Sequence, residues 1–471
     1  MSTLSSGDAP RIGIVGGGFS GTLTAVQIVR KSAQPLHITI VETRDEVGRG
    51  LAYSTPNEDH VLNVRASGMS ALPDDPDHFL RFAQSQNPEV TPDTFVSRKF
   101  YGQYVQFLLN QARTEAASKG TEIQHVNGEA IDIAEKSDLK SHKVLLKNGS
   151  DLDADYIILA TGNLLLKPPA LYAKAADRYI HNPWHPGAME AIKADEKILI
   201  IGTGLTAIDK IIDLENASHR GNITAVSRHG RLPQEHLPIA DPRPADAPHS
   251  VPTTARETLA FIRRVIAETN DWRRAVDSMR SVTQSWWSSL PTLERRRVSR
   301  HLQSLWDIHR HRMAPHIAQR IQNLRAHGSL RIQHGRIRSI EIREDERIAV
   351  RLRGGDLLLV DRIINCTGFG GPIEHWDSTL YQNLVKRGTV TSSDAKNGFA
   401  VDCNLCLSTA SGAANLFMLG PNLKTKLFES VAVPELKVQA DIVATEIVSR
   451  VLAKEAAQLT LRTGNSAPVT L

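Results

Sequence analysis

The chain has 471 residues and a mass of 51.8 kDa, which predicts about three folding units rather than one core. Hydrophobic residues make up 41% and charged residues 23% of the composition, which excludes fibrous, mucin-like and disordered proteins. Much of the net charge of +5 comes from an arginine-rich helical stretch between Arg256 and Arg325. No nucleic-acid reader motif accompanies this stretch, so nucleic-acid binding is not expected.

The chain contains no run of about 18 apolar residues and starts with a polar segment, Met1 to Pro10, so we expect neither a membrane span nor a secretory signal. Three cysteines are too few for a disulfide framework. Cys403 and Cys406 form a Cys-x-x-Cys pair without further ligands at zinc spacing, which favours ordinary packing over a redox or metal role. We therefore predict a cytoplasmic protein with no metal site.

The first predicted strand, Arg11 to Val15, leads into a glycine-rich turn and then a helical pattern that continues to Arg30. A second strand, His37 to Val41, ends in Glu42, roughly 20 residues beyond the last glycine. This order is typical of a dinucleotide site: the glycines let a pyrophosphate approach, the helix N-terminus attracts it, and the acid accepts ribose hydroxyls. The predicted contacts are Gly16, Gly18, Phe19, Ser20, Gly21, Glu42 and Arg49.

The same pattern recurs later in the chain. Strand Ile198 to Ile201 precedes a turn in which alanine takes the place of the third glycine, and the next strand is Ile223 to Val226. This strand is followed by Ser227 and Arg228 instead of an acid. An arginine pairs with a 2′-phosphate, so the site favours NADPH; a merely exposed Arg228 would leave NADH open. The predicted contacts are Gly202, Gly204, Leu205, Thr206, Ala207 and Arg228.

A further repeat follows each glycine turn. One predicted β-meander starts near Ile123 and leads to a buried strand that ends in Thr161-Gly162, and a second starts near Ile332 and ends in Thr367-Gly368. Thr161 and Gly162 are predicted to contact a cofactor. This self-similarity predicts an α/β fold with two Rossmann-type dinucleotide-binding domains and a helical insertion.

The helical insertion, 252–328, interrupts the second domain. His309 and His311 are two residues apart and face away from each other on a helix, so they cannot share a metal. A lid and an oligomer contact are both open as roles for the insertion, and a homo-oligomer is compatible with it. Its expected apolar seam consists of Trp286, Trp287, Leu302, Leu305 and Trp306.

Two dinucleotide folds, each closed by a strand that ends in Thr-Gly, resemble the flavoproteins that hold FAD in the first fold and NAD(P)H in the second. The resemblance covers about Pro10 to Ala453. Disulfide reductases of this architecture carry cysteine pairs in sequence contexts that this chain lacks, so the chain is more similar to class B flavin-dependent monooxygenases, including N-hydroxylating enzymes. His60 to Ala66 and Trp306 to Pro315 are also similar to segments of a bacterial FAD/NAD(P)-binding group.

The resemblance implies FAD and either NADPH or NADH as cofactors, and O₂ and a small molecule as substrates. It also implies that Gly420 contacts the flavin, although a plain turn after a buried strand is the alternative. Pro434 and Glu435 suit the positive N-terminus of a helix that continues to about Leu452 and would face the flavin. Asn63 and Arg65 are the predicted catalytic residues, with packing roles as the alternative.

The domain organisation expected from this resemblance is a flexible N-terminal tail at 1–9, an FAD-binding domain at 10–165, an NAD(P)-binding domain at 166–360, the second part of the FAD-binding domain at 361–455, and a C-terminal tail at 456–471. The implied reaction is an oxygenation through a flavin C4a-hydroperoxide, at the nitrogen of a small amine or hydroxylamine. One alternative is an NAD(P)H-dependent flavin reductase or oxidase without oxygen insertion. The other is a catalytically silent nucleotide-binding sensor.

Overall fold

The structure is a computed structural model that describes residues 9–136, 141–237, 250–369, 371–391, 398–409, 415–424 and 426–464. Within it the chain divides into two compact units. The first unit is drawn from 1–56, 65–164 and 370–471, and the second from 57–64 and 165–369.

Both units are built from parallel strands connected by helices, with a small antiparallel meander in each. The strands, in chain order, are β1 (Arg11–Val15), β2 (His37–Glu42), β3 (Glu122–Asn127), β4 (Ala130–Glu135), β5 (His142–Leu146), β6 (Asp151–Ala154), β7 (Tyr156–Leu159), β8 (Tyr179–Ile180), β9 (Ile198–Ile201), β10 (Ile223–Ser227), β11 (Leu330–His334), β12 (Ile337–Ile342), β13 (Ile348–Leu352), β14 (Leu357–Val360), β15 (Arg362–Asn365) and β16 (Leu416–Met418). The α-helices are α1 (Phe19–Lys31), α2 (Gly50–Tyr53), α3 (His78–Gln86), α4 (Arg98–Ser118), α5 (Leu205–Asn216), α6 (Ala255–Thr269), α7 (Trp272–Ser278), α8 (Thr283–Ser289), α9 (Thr292–Arg297), α10 (Gln303–Arg310), α11 (Pro315–Ala326), α12 (Thr379–Lys386) and α13 (Val433–Gly464).

The first unit contains a five-stranded parallel sheet in the order β16-β7-β1-β2-β3. Strand β7 is buried along its whole length, as expected for a central strand of a parallel sheet that is covered on both faces. Helix α1 packs against α4 and α13. The meander β4-β5-β6 lies in the connection between β3 and β7.

The second unit repeats this plan with one substitution. Its parallel sheet has the order β11-β10-β9-β15-β8, and its meander is β12-β13-β14. In the first unit β16 is the edge strand next to β7. In the second unit the corresponding edge strand is β8, which precedes the glycine turn in the chain. The buried core joins sheet and meander through residues such as Leu199, Ile363 and Val350.

The insertion between β10 and β11 is helical from α6 to α11, and one π-helical turn, Val298–Leu302, lies between α9 and α10. Trp286, Trp287 and Trp306 are buried in it, as the sequence predicted. The prediction for Leu305 was wrong: its side chain is 37% exposed, because it lies on the outer face of α10.

The structure confirms the predicted fold class, including the duplicated order of strand, glycine turn, helix and meander. The boundaries differ in three places. Residues 57–64 belong to the second unit, and β15 pairs with β9, so the second unit ends at Phe369 instead of residue 360. Helix α13 continues to Gly464, so the segment from 456 to 464 is helical instead of a tail. Most of the tail predicted at 1–9 lies outside the described residues.

Candidate functional site

The first glycine turn joins β1 to α1 and requires glycine at two positions. Gly16 has a φ of +105°, and a Cβ there would lie 2.3 Å from the carbonyl oxygen of Ala160. A Cβ at Gly21 would lie 1.9 Å from the carbonyl oxygen of Gly16. Since no side chain fits either approach, the path of the turn is fixed by sterics.

The N-terminus of α1 suits an anion. The helix begins at Phe19, its N-cap residue Gly18 has no side chain that could occupy the free N–H groups, and its first turn contains no acidic residue. The first N–H groups of a helix have no partners inside the helix, and they lie at its positive end. These features fit the pyrophosphate of a dinucleotide at this position, close to Phe19 and Ser20.

Glu42 is oriented toward the same turn. One of its carboxylate oxygens, Oε2, accepts the backbone N–H of Gly17 at 2.8 Å, and Oε1 accepts the N–H of Arg44 at 3.1 Å. The Thr43 hydroxyl also donates to Oε1 at 3.0 Å. A carboxylate has about four acceptor positions, so about one remains for a ribose hydroxyl, and a ribose can also displace the Thr43 hydroxyl. The predicted role of Glu42 as an acceptor for ribose hydroxyls fits this geometry.

Arg49 lies next to the turn because its chain neighbours Gly48 and Gly50 contact the turn residues. The N–H of Gly48 donates to the carbonyl oxygen of Gly17 at 2.7 Å, and a Cβ on Gly18 would lie 3.3 Å from the Cα of Gly50. The Arg49 side chain is held by Gln106 at 3.1 Å and Glu46 at 3.3 Å. The segment from 48 to 50 therefore forms one wall of the turn, and Arg49 adds a positive charge next to it.

Thr161 and Gly162 follow β7 and are partly buried, and they belong to a hydrogen-bond group that the sequence did not predict. The Thr161 hydroxyl lies 2.7 Å from the Tyr381 hydroxyl. Asn422 donates to Thr161 Oγ1 at 3.2 Å and to the carbonyl oxygen of Gly162 at 3.3 Å. Burial raises the pKa of Tyr381 to about 12, so its phenol stays protonated and able to donate. This group joins the turn after β7 to the turn after β16.

Gly420 stands in that second turn with a φ of +98°, and its N–H donates to Gln439 Oε1 at 2.8 Å. Gln439 lies one helical turn after Glu435 in α13, so both residues are on one face near the helix N-terminus. Ser20 Oγ lies 3.8 Å from the place of a Cβ on Gly420. The structure therefore brings Ser20, Gly420 and the first turns of α13 together, and their contact with a flavin stays a prediction.

The two predicted catalytic residues fall in different units. Asn63 belongs to the second unit, where its backbone oxygen lies 3.0 Å from Nε2 of His236. Arg65 belongs to the first unit, where its Nε lies 3.0 Å from a carboxylate oxygen of Asp93 and its guanidinium lies over the ring of Phe95. These contacts fix both positions, and catalytic roles for Asn63 and Arg65 stay predictions.

The second glycine turn repeats the geometry of the first. Gly202 has a φ of +111°, and a Cβ there would lie 2.1 Å from the carbonyl oxygen of Cys366. Helix α5 begins at Leu205 after Gly204, with no side-chain cap and no acid in its first turn, where Thr206 lies. Ala207 is fully buried at the third position. This turn also fits a pyrophosphate.

Five cationic or titratable side chains lie where β10 and β11 end, and only Arg228 was predicted. The electrostatic neighbours of His229 are Arg231, Arg228, His334 and Arg336, and desolvation followed by these positive groups holds the pKa of His229 below its ordinary value. The register of β10 and β11 places Ser227 opposite His334, which brings the two strand ends together. The sequence signal that could have found this cluster is a basic residue after each of two adjacent parallel strands.

A buried charged group lies on α5 below the turn. Asp213 accepts hydrogen bonds from Lys210 at 2.8 Å and Asn57 at 2.7 Å, and lies 3.0 Å from Nε2 of His60. Lys210 Nζ lies 3.9 Å from the ring centroid of Trp184. Burial alone would raise the pKa of Asp213, but the hydrogen bond from His60 and the charge of Lys210 outweigh it and hold the pKa well below its ordinary range. These contacts hold residues 57–64 against helix α5.

Residues 13–164 match a family model described as FAD-NAD(P)-binding. The match supports the predicted FAD and NAD(P) cofactors, and its range contains the first glycine turn, Glu42 and the Thr161-Gly162 turn. The uncharacterized protein YdhS of Escherichia coli is 26% identical over 265 residues, which are 48% of this chain and 46% of that protein. The match thus spans less than half of the length of that relative.

Solved structures share the architecture of both units. The reduced form of an ornithine hydroxylase from Pseudomonas aeruginosa is 14% identical with a TM-score of 0.66, over 94% of this chain and 100% of that one. A cadaverine monooxygenase of desferrioxamine biosynthesis from Erwinia amylovora, bound to FAD, is 14% identical with a TM-score of 0.63. The match covers 93% of this chain and 94% of that one. This chain has the fold of two-domain FAD/NAD(P)-binding flavoproteins.

No helix in the described ranges is both long enough and apolar enough to cross a membrane.

Proposed function

We propose that this chain is an FAD-dependent, NADPH-consuming monooxygenase that oxygenates the nitrogen of a small amine or hydroxylamine. The observation that carries the proposal is the pair of glycine turns with different strand ends, an acid in the first unit and a basic cluster in the second. An acid suits ribose hydroxyls and a basic group suits a 2′-phosphate, so the pair fits a protein that binds two different nucleotides. The likeness to ornithine and cadaverine hydroxylating enzymes supports the choice of nitrogen, as analogy of fold.

In this proposal the first unit binds FAD, and bound flavin supplies hydride acceptance and oxygen activation. The turn from Gly16 to Gly21 holds the pyrophosphate at the N-terminus of α1, and Glu42 accepts the ribose hydroxyls. Gly420 presents backbone to the flavin, and Gln439 fixes that backbone by accepting its N–H.

Two further features of the first unit suit the reactive part of the cofactor. The Tyr381, Thr161 and Asn422 group holds two turns together by hydrogen bonds. All three side chains are uncharged, which favours a rigid site wall that excludes water. The N-terminus of α13 supplies a positive helix end that stabilises negative charge on a reduced cofactor. The chain itself needs no acid and base pair for this chemistry.

The second unit binds NADPH in this proposal. The turn from Gly202 to Ala207 takes the pyrophosphate, and the cluster led by Arg228 takes the 2′-phosphate. The positive side chains of this cluster repel one another when no anion is bound. A phosphate dianion among them would reduce this repulsion. NADH offers only hydroxyls to these groups, and we therefore expect it to bind more weakly.

The test is a coupling assay on the full-length protein loaded with FAD. NADPH oxidation, peroxide release and hydroxylamine formation are measured with ornithine, lysine and cadaverine as probes. We expect one of these amines, or a close analogue, to raise hydroxylamine formation and lower peroxide release together. Peroxide equal to NADPH consumed with every amine would support the oxidase alternative, and no NADPH oxidation at all would support the silent sensor.

Gly204→Ala provides a matched control for this assay. A Cβ at Gly204 meets no atom within 4 Å, so the fold should be unaffected. The methyl group would occupy the space that a pyrophosphate needs. The variant should keep its FAD and its melting temperature while it loses NADPH oxidation, which separates nucleotide binding from folding.

A further inference from the structure

The side chain of Thr203 connects the two parts of the second nucleotide site. Thr203 stands between Gly202 and Gly204 and is only 6% exposed. Its Oγ1 donates to the backbone carbonyl oxygen of Arg231 at 2.5 Å and lies 2.9 Å from Oγ of Ser227. Ser227 Oγ in turn accepts the N–H of Gly230 at 3.0 Å. One buried hydroxyl thus contacts both ends of the loop from Ser227 to Arg231.

This loop carries part of the basic cluster. Arg228 and His229 lie between Ser227 and Gly230, and both side chains are exposed. Gly230 has a φ of +58° and a Cβ there would lie 3.0 Å from the backbone nitrogen of His334, so the loop turns sharply against β11. An exposed, charged loop loses conformational entropy when it binds a phosphate. Hydrogen bonds that fix its backbone in advance reduce this cost.

The first unit makes an equivalent connection with different atoms. There the middle residue of the turn is Gly17, whose backbone N–H donates to Glu42 at the end of β2. A Cβ on Gly17 would lie 2.9 Å from the Cβ of Glu42, so no side chain can act at this position. In the second unit the acid is absent, and a threonine hydroxyl takes over the connection between turn and strand end.

We infer that Thr203 is a positioning residue that holds the Arg228 loop where it meets a 2′-phosphate, and that it thereby determines the preference for NADPH over NADH. The inference rests on the proposed assignment of this site to NADPH. Thr203 acts through the loop and does not itself contact the phosphate. Its removal should therefore weaken ligands that carry a 2′-phosphate and leave ligands without one nearly unchanged.

Titration calorimetry on the full-length, FAD-loaded protein tests this inference with 2′,5′-ADP and 5′-AMP as probes. Thr203→Val keeps the shape of the side chain and removes the hydroxyl. We expect 2′,5′-ADP to bind about tenfold more weakly, which is the size of one well-placed hydrogen bond with its ordering effect, and 5′-AMP to change by less than about twofold. Thr203→Ser restores the hydroxyl and should restore the affinity for 2′,5′-ADP.

Thr224→Val is the matched control, because Thr224 is a half-buried threonine of β10 away from the strand end. It should leave both affinities unchanged. Ser227→Ala offers a second route if Thr203→Val unfolds, and it should weaken 2′,5′-ADP selectively as well. Equal weakening of both probes by Thr203→Val, or no weakening, overturns the role of Thr203. A wild-type protein that binds both probes equally overturns the NADPH assignment itself, and the inference with it.

Discussion

The two glycine turns of this protein have the same backbone and different chemistry. Gly16 and Gly202 have φ values of +105° and +111°, and in each case a carbonyl oxygen of the residue just after β7 or β15 lies within 2.3 Å of the place where a Cβ would be. At the end of the second strand, however, the first unit has Glu42 and the second has Ser227 and Arg228. The comparison teaches that sterics fix the path of the turn, and in our proposal the residues at the strand end decide which nucleotide the turn binds.

We expect the largest difference in stability between the two units from substitutions at the third glycine position of each turn. Gly21→Ala would place a methyl group 1.9 Å from a backbone oxygen, and the helix must shift to admit it. We expect a loss of about 3 kcal/mol in the free energy of unfolding, together with loss of FAD. In the second unit this place already holds a buried alanine, so Ala207→Gly should cost only about 1 kcal/mol. Urea unfolding and flavin content are measured for both variants. Equal losses of unfolding free energy in Gly21→Ala and Ala207→Gly would contradict the comparison.

The helices after the turns give the next difference. Gln27 in α1 and Asp213 in α5 stand at the same distance from their turns. Asp213→Asn leaves Lys210, which is nearly buried, without its charged partner, and should cost about 3 kcal/mol in unfolding free energy. Gln27 Nε2 is buried with no partner within the described ranges, so Gln27→Leu should be neutral or stabilising. A stabilised Asp213→Asn protein would contradict the role given to this cluster.

Asp213 also predicts a dependence on pH. Its pKa is lower in the folded state than in the unfolded chain, so it contributes stability above the ordinary carboxyl range. This contribution should be lost as the pH falls through and below about 4, toward the depressed folded value. Wild type and Asp213→Asn should therefore differ in melting temperature at neutral pH and converge in acid. A constant difference across this range would show that the ionised carboxylate is not what stabilises the unit.

The smallest expected difference concerns nucleotide choice. Arg228→Ala should lower the affinity for NADPH by about tenfold and leave that for NADH nearly unchanged, because only NADPH carries the phosphate that pairs with it. Arg325→Ala, at the exposed end of α11, is the control for loss of a positive charge. Titration with both nucleotides measures the preference. An unchanged ratio for Arg228→Ala would remove the argument for phosphate recognition.

The local parts of the fold could be predicted from the sequence. Strand β1, both turns and the start of α13 follow from a short apolar run, glycine spacing and a proline in the first helical turn, and the structure has them at those residues. The end of α13 was placed too early, at about Leu452, although no glycine or proline interrupts the helical pattern between Pro434 and Gly464, where the helix ends. Leu305 shows that an apolar residue in a helix need not face the core.

The supporting residues of the site were outside the reach of sequence reasoning for a physical reason. Tyr381 and Asn422 meet Thr161 across more than two hundred residues of chain, and no spacing rule joins them. Gln439 could have been found, since it lies on the same helical face as Glu435. The basic cluster required knowledge that β10 and β11 are neighbours in the sheet.

The central claim is that one chain seats FAD in its first unit and NADPH in its second. Its most direct test is to titrate the purified full-length protein with FAD and then add NADPH without oxygen, while the visible absorbance of the flavin is followed. The account predicts one tightly bound flavin per chain and its bleaching by NADPH, faster than by NADH. A protein that stays colourless with FAD in excess, or a bound flavin that NADPH never reduces, would contradict it.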